Sequence, residues 1–201
     1  MCPVVNPQII THEKRLIDCQ NEVRAFLGVI ACLDAKLGPL LLQFPSSFRI
    51  ESFGALARFL GQLPDGFRYA VEVRHRGWLN ARFFDLLRSY HIAFALVDSP
   101  WLPRQMVTTT DFTYIRWMGD RDEVMESFSR VQLDRSAELQ WWVERVGEMR
   151  SQEVDVYGYF NNHYAGHSPS SLQQFMALYQ ARSEDSQEDV IDLATFEHRT
   201  E

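Results

Sequence analysis

The stretch "YAVEVRHRGW", residues 69–78, opens like a buried β-strand and closes in charge, with Glu72, Arg74 and His75 at its end. Side chains alternate along a strand, so Val71 and Val73 share one face while Ala70, Glu72 and Arg74 share the other. In an open sheet covered by helices on both sides, a mid-strand glutamate would be costly to bury. A barrel offers a better place: the valine face meets outer helices, and Glu72 and Arg74 point inward near the carboxyl-end mouth, where barrels bind ligands. The stretch therefore favours a barrel over a doubly wound sheet.

Working outward, the hydrophobic period switches repeatedly. Thr11 is placed to cap a helix through Leu16, Val23, Phe26, Leu27, Ile30 and Leu37, which "LGP" at 37–39 ends. "PLLLQF" at 39–44 is a continuous apolar run closed by Pro45, as in a strand covered on both faces. Helical spacing returns at 51–63. After the strand at 69–74 the pattern predicts a helix over about 80–90 capped by Asn80, strands at 92–98 and 112–117, and a helix over about 135–150. A strand at 154–160 follows, then a helix over about 168–182 with Ser168 at its cap and Pro169 in its first turn. Such alternation implies an α/β protein with a mainly parallel sheet and right-handed crossovers. Polar residues recur at the strands' carboxyl ends: Gln43, Glu72, Asp98, Arg116, Asn161 and Asn162.

The 201 residues are 46% hydrophobic and 23% charged, enough for one sizeable core. No apolar run approaches the roughly 20 residues that cross a bilayer, and "MCPVVNPQIITHEKR" lacks the layout of a signal peptide, so a cytoplasmic location is expected. Cys2, Cys19 and Cys32 form neither a disulfide framework nor a zinc pattern, and Cys19 reads as core. From 183 to 201 seven acids face one base, a net of −6, which leaves −1 of the chain's −7 for residues 1–182. The expectation is a near-neutral domain over 1–182 and a solvated, flexible acidic tail over 183–201. Neither a nucleic-acid surface nor a membrane-surface helix is indicated, and no nucleotide-binding glycine motif is present.

The blocks "ITHEKRL", "KLGPLLLQFPSSF", "YAVEVRHRGWL", "ALVDSP", "DFTYIRWMGDR" and "VYGYFNNHYAGHSPSSLQQF", in that order, resemble the YecE-like family, a domain of unknown function, DUF 72. The resemblance covers about residues 1–182. It implies a TIM-like (β/α) barrel with no established activity. It further implies that the family's first two strands, the first of Gly-Ser-Gly-Trp type, are missing, leaving five strands plus a stub at "MCPVV". The count of strands read from the pattern agrees with such a truncation, since a closed barrel needs eight.

The candidate site gathers at the mouth. Glu72 and Asp98 are the expected catalytic carboxylates, paired across the mouth for acid/base work or for holding a hard cation. Glu72 with Arg74 is equally what a structural ion pair looks like, and Asp98 before Ser99-Pro100 is what a turn uses. Arg74 and Arg116 are the expected anion clamps, an inward Arg116 needing either Asp98 or a bound anion as partner. Asn161 and Asn162 would orient a ligand beside a helix amino terminus, though Asn, Gly and Ser are ordinary loop residues too. Gln43 ends its strand at the same level. By resemblance "THE" at 11–13 lies at the barrel top, which adds His12. His75 reads as a loop or cap residue, and His163 with His167 is a metal pair lacking a third ligand. No metal is assigned and no cofactor is named. The function expected is that of a barrel enzyme, of hydrolase or isomerase type, acting on a small anionic, phosphorylated or sugar-like ligand. The alternatives are a non-catalytic binding protein and an inactive fragment.

Overall fold

Residues 2–120, 122–123 and 125–197 are described by the computed structural model of the chain, the side chains of 2, 3 and 184–197 excepted. Six strands form one sheet in the order β1-β2-β3-β4-β5-β6: β1 Cys2–Val5, β2 Leu37–Gln43, β3 Tyr69–Glu72, β4 Ala93–Asp98, β5 Phe112–Trp117 and β6 Asp155–Phe160. Pairings from β1 through β5 are parallel. The result is a curled, parallel, six-stranded half-barrel with helices. The expected fold class holds at that level, and "CPVV" at 2–5 is a paired strand.

The helices are α1 Gln20–Ile30, α2 Phe53–Leu60, α3 Ala81–Ser89, α4 Ser136–Ser151 and α5 Ser168–Glu197. The chain divides into two compact units, Met1–Trp117 with Val154–Tyr159, and Met118–Glu153 with Phe160–Glu201.

In the first unit the register fixes which residues share a face. Leu41 pairs with Ala70 and Gln43 with Glu72; Ala70 pairs with Ala93; Ala95 pairs with Tyr114 and Val97 with Arg116. Leu41, Ala70, Ala93, Ala95, Phe112 and Tyr114 form one buried cluster, with Tyr157 and Tyr159 of β6 packed against it. Small side chains on β3 and β4 leave the space that the rings of β5 and β6 fill, as close packing requires. The curl is visible in Arg68, just before β3, whose guanidinium reaches across to Asp155 at 3.0 Å and the Tyr157 hydroxyl at 2.7 Å on β6.

The other face carries the aromatic core. Trp78 is fully buried, stacks on Phe48 at 5.2 Å and donates from Nε1 to the Phe48 carbonyl at 2.8 Å. Phe83 joins it at 5.2 Å and meets Phe94 of β4 at 6.0 Å. This chain of rings ties the segments after β2 and β3 to α3 and β4. Cys19 is 1% exposed, as its core reading predicts.

One helix is not where the spacing put it. The long helix expected from Thr11 to Leu37 is a π-turn at Ile9–Glu13, then a loop, then α1, then a 3₁₀ segment at Ala31–Lys36. Arg15, Leu16 and Asp18 have φ of 48°, 70° and 47°, a left-handed conformation that an α-helix of L-residues cannot continue. Leu16 is still buried, from a turn rather than a helix face, so burial and spacing mimicked a helical pattern. Thr11 caps nothing; its hydroxyl meets His12 Nδ1 at 2.8 Å. Asn80 does cap α3, accepting from the Phe83 amide at 3.1 Å.

In the second unit, α4 buries Leu139, Trp142, Val143 and Val146, and α5 buries Phe175. Among the described residues, 118–135 form no helix or strand, and this loop is pinned through Gln132 N to the Ala165 carbonyl at 2.7 Å. Gly119 has φ +65°, and a Cβ there would lie 2.1 Å from the His163 carbonyl oxygen, so only glycine fits. The α5 backbone continues to Glu197; the side chains that would make the acidic tail, and residues 198–201 altogether, lie outside the described residues.

Candidate functional site

Glu72 ends β3 and is 1% exposed, although a lone carboxylate in such a place would be costly. It is held on both oxygens. Arg74 donates from Nε to Glu72 Oε1 at 3.1 Å, and Arg116 on β5 donates from Nη1 to Oε2. Arg74 also donates from Nη2 to Gln43 Oε1 on β2 at 3.2 Å. The two arginine side chains are 24% and 18% exposed. Four of the expected residues, Gln43, Glu72, Arg74 and Arg116, are thus brought together at the carboxyl ends of β2, β3 and β5.

The partner of Arg116 is Glu72. Neither Asp98 nor an added anion is needed to hold it.

The electrostatics follow from counting. Two guanidiniums against one carboxylate leave one net positive charge. A guanidinium carries five N–H groups. Of the ten on Arg74 and Arg116, three are engaged by the hydrogen bonds just given, which leaves seven without a protein acceptor among the described residues. With Gln43 Oε1 accepting from Arg74, the two N–H groups of its amide nitrogen are directed elsewhere. The cluster is rich in donors, and each of its acceptor oxygens already holds one arginine N–H.

Beneath it lies an aromatic floor. Tyr114, two residues before Arg116 on the same face, is 2% exposed, and its ring packs against Tyr159 in a tilted arrangement at 4.9 Å. Burial pushes the Tyr114 phenol well above its ordinary range, Tyr159 and Glu72 push the same way, and Arg116 opposes them. The phenol stays neutral, so the positive charge above it is undiminished.

Asp98 stands apart from this cluster. The register pairs it with Trp117, one residue out of phase with Val97 and Arg116, so its side chain leaves the sheet on the other face. It is 7% exposed and binds Arg104 in a fork, Nε to Oδ1 at 2.8 Å and Nη2 to Oδ2 at 3.1 Å. The expected carboxylate pair of Glu72 and Asp98 across the mouth is therefore not formed. Glu72 is held by Arg74 and Arg116, and Asp98 by Arg104.

His12 sits in the π-turn after β1 with Nδ1 on the Thr11 hydroxyl. Asn161 and Asn162 belong to the second unit, where their carboxamides serve the backbone: Asn161 Oδ1 accepts from the His163 amide at 3.0 Å and Asn162 Oδ1 from the Ser168 amide at 2.8 Å. His75 is the cap residue it was read as, its Nδ1 accepting from the Gly77 amide at 3.1 Å. His167 Nδ1 meets the Ser170 hydroxyl at 2.8 Å. Among the described residues no three His, Cys, Asp or Glu side chains are grouped to hold a metal ion.

Four residues escaped the sequence reading. Arg104 lies in a loop with no periodicity to mark it. Tyr114 and Tyr159 read as strand aromatics without a role. Asn6, just past β1, is 6% exposed with its Nδ2 unpartnered. It follows the same rule of polar residues at strand ends, and that rule could have found it.

Two cavities lie elsewhere in the first unit. One of about 210 Å³ is lined by Cys19, Val23, Phe59 and Leu63, between α1 and the end of α2. One of about 370 Å³ is lined by Asp34, Gly38, Gly66, Arg68, Asp155 and Tyr157, at the amino ends of the strands. Neither includes a residue of the Glu72 cluster.

The family model described as "Protein of unknown function DUF72" matches residues 4–192. The chain is 39% identical over 69 residues to the UPF0759 protein YecE of Escherichia coli strain K12, and equally to that of strain O157:H7. That match covers 34% of this chain and 25% of each relative, so the chain spans about a quarter of the curated relatives it matches. Among solved structures, a DUF72 family protein from Thermotoga maritima is similar at 30% identity with a TM-score of 0.74, over 89% of this chain and 73% of that one. A second, from Enterococcus faecalis, is similar in fold at 21% identity with a TM-score of 0.68, over 84% and 72%.

Proposed function

The chain belongs to the DUF72 family of proteins of unknown function, and from that premise, which brings a fold and no reaction, we propose that it binds a small anionic ligand at the carboxyl ends of β2, β3 and β5. The observation that carries this reading is the set of seven guanidinium N–H groups without a protein acceptor among the described residues, on a cluster of net positive charge above a buried floor. Arg74 and Arg116 are the clamps. Glu72 is a positioning residue: by holding one edge of each guanidinium it turns the remaining donors outward without a reorganisation step on binding. Gln43 fixes Arg74 from the neighbouring strand.

A binding role is favoured over the hydrolase or isomerase reading. Acid/base work by Glu72 and Asp98 would require each carboxylate to part from its guanidinium first, and the two leave the sheet on opposite faces. Asp98 instead ties down the loop bearing Arg104.

Isothermal titration with a panel of phosphate, sulfate, simple carboxylates and sugar phosphates tests the proposal. At least one anion is expected to bind, and Arg74→Gln with Arg116→Gln together is expected to weaken it by at least a hundredfold, two charge-assisted clamps being worth roughly 1.5–3 kcal/mol each. Anion binding that survives the double substitution in a folded variant would place the site elsewhere.

A further inference from the structure

The chemistry of the cluster narrows the anion. Both Glu72 oxygens and Gln43 Oε1 already accept from arginine, and Glu72 is 1% exposed, so the cluster turns mainly donors toward a ligand. Each sugar hydroxyl brings a proton that must be placed on oxygens already holding an arginine N–H, whereas the ionised oxygens of an oxyanion only accept. That separates the two ligand types, anionic and sugar-like, in favour of the first.

A second step separates the oxyanions. The free donors sit on two guanidiniums, one just past the end of β3 and one on β5, either side of the Glu72 carboxylate. With β4 between them, their strands stand two spacings apart, about 10 Å. A planar carboxylate has two oxygens and matches one guanidinium fork. A terminal phosphoryl group has three acceptor oxygens in a tetrahedral array and a charge of about −1.5 to −2. It can address one fork with two oxygens and the second guanidinium with the third. Resting on the reading of this cluster as an anion site, we propose that its ligand is recognised through a terminal phosphoryl group, taken as free phosphate or as the end of a phosphate monoester, with Arg74 and Arg116 engaging it jointly and Gln43 Nε2 as a further donor.

The test is isothermal titration of the full chain with inorganic phosphate, sulfate, acetate and glucose. Phosphate and sulfate are expected to bind at one site, acetate at least tenfold more weakly, and glucose not at all. Arg116→Lys keeps the charge and removes the fork, and is expected to lower phosphate affinity about tenfold while retaining a cooperative melt. Lys14→Gln, which alters a cation paired with Glu22 outside the cluster, is expected to leave it unchanged. Acetate binding as tightly as phosphate, with both lost in the arginine variants, overturns the phosphoryl assignment and leaves the anion site standing. Glucose binding with no anion bound overturns both. Phosphate affinity lowered as much by Lys14→Gln as by Arg116→Lys reveals unspecific attraction and overturns the assignment to this cluster.

Discussion

Glu72 is nearly inaccessible yet ionically saturated, which makes its removal more costly than that of an exposed ion pair. Taking away one partner of a buried pair leaves the others uncompensated, an effect of about 3–5 kcal/mol. With both guanidiniums partly solvated, Glu72→Gln is expected near the lower end of that range, read as a lower urea midpoint at unchanged slope. A loss under about 1 kcal/mol would mean that the pairing contributes no more than a surface salt bridge. Glu72, Arg74, Arg116 and Gln43 were legible in the sequence because strand alternation and strand ends suffice to align them. Asp98 was not, for its face depends on the register with β5, and register is a property of the pairing rather than of either strand. Arg104 and the carboxamides of Asn161 and Asn162 depend on loop conformations that leave no periodic trace.

At the level of elements, α3 shows how far local chemistry reaches. Asn80 Oδ1 caps the helix through the Phe83 amide, and the Asn80 side-chain nitrogen donates to the Gly77 carbonyl at 2.9 Å. Asn80→Ala is expected to destabilise the protein by about 1–2 kcal/mol, measured by thermal or urea unfolding. Substitution with Asp should retain most of the cap, since Asp and Asn rank alike there. That helix was legible because its cap and its apolar spacing agree. The segment 11–19 was misread because apolar spacing alone cannot register three left-handed residues within four positions. Strand β3 reads as a long run to Arg74 but pairs only to Glu72, since apolar alternation does not mark where backbone pairing stops.

For the molecule as a whole, two buried phenols couple stability to alkaline pH. Burial raises Tyr69, with Asp65 adding to it, and burial with Tyr159 raises Tyr114. Each folded phenol therefore keeps a proton that the unfolded chain gives up above about pH 10. Their contribution is fully present below that pH and declines as pH rises past it, because the unfolded state then binds fewer protons. Urea unfolding at pH 8 to 11 is expected to show this decline, and Tyr114→Phe to make it shallower. An unchanged slope in that variant would exclude Tyr114 as a source. The parallel α/β architecture was legible from alternation alone, and the barrel reading from one glutamate. What the pattern left open was the second compact unit, where the described residues between 118 and 135 are held by hydrogen bonds such as Gln132 N to the Ala165 carbonyl and Arg135 Nε to the Tyr164 carbonyl rather than by hydrophobic period.

Every strand in the sheet lies beside the one that precedes it in the chain. A chain emerging from the ribosome would thus never have to wait for a distant segment before pairing: β2 docks on β1, β3 on β2, and so on, each addition completed by a few dozen residues. Loop-closure entropy rises only slowly with such lengths. Assembly can proceed in the direction of synthesis, each new strand pairing with the one already laid down before it.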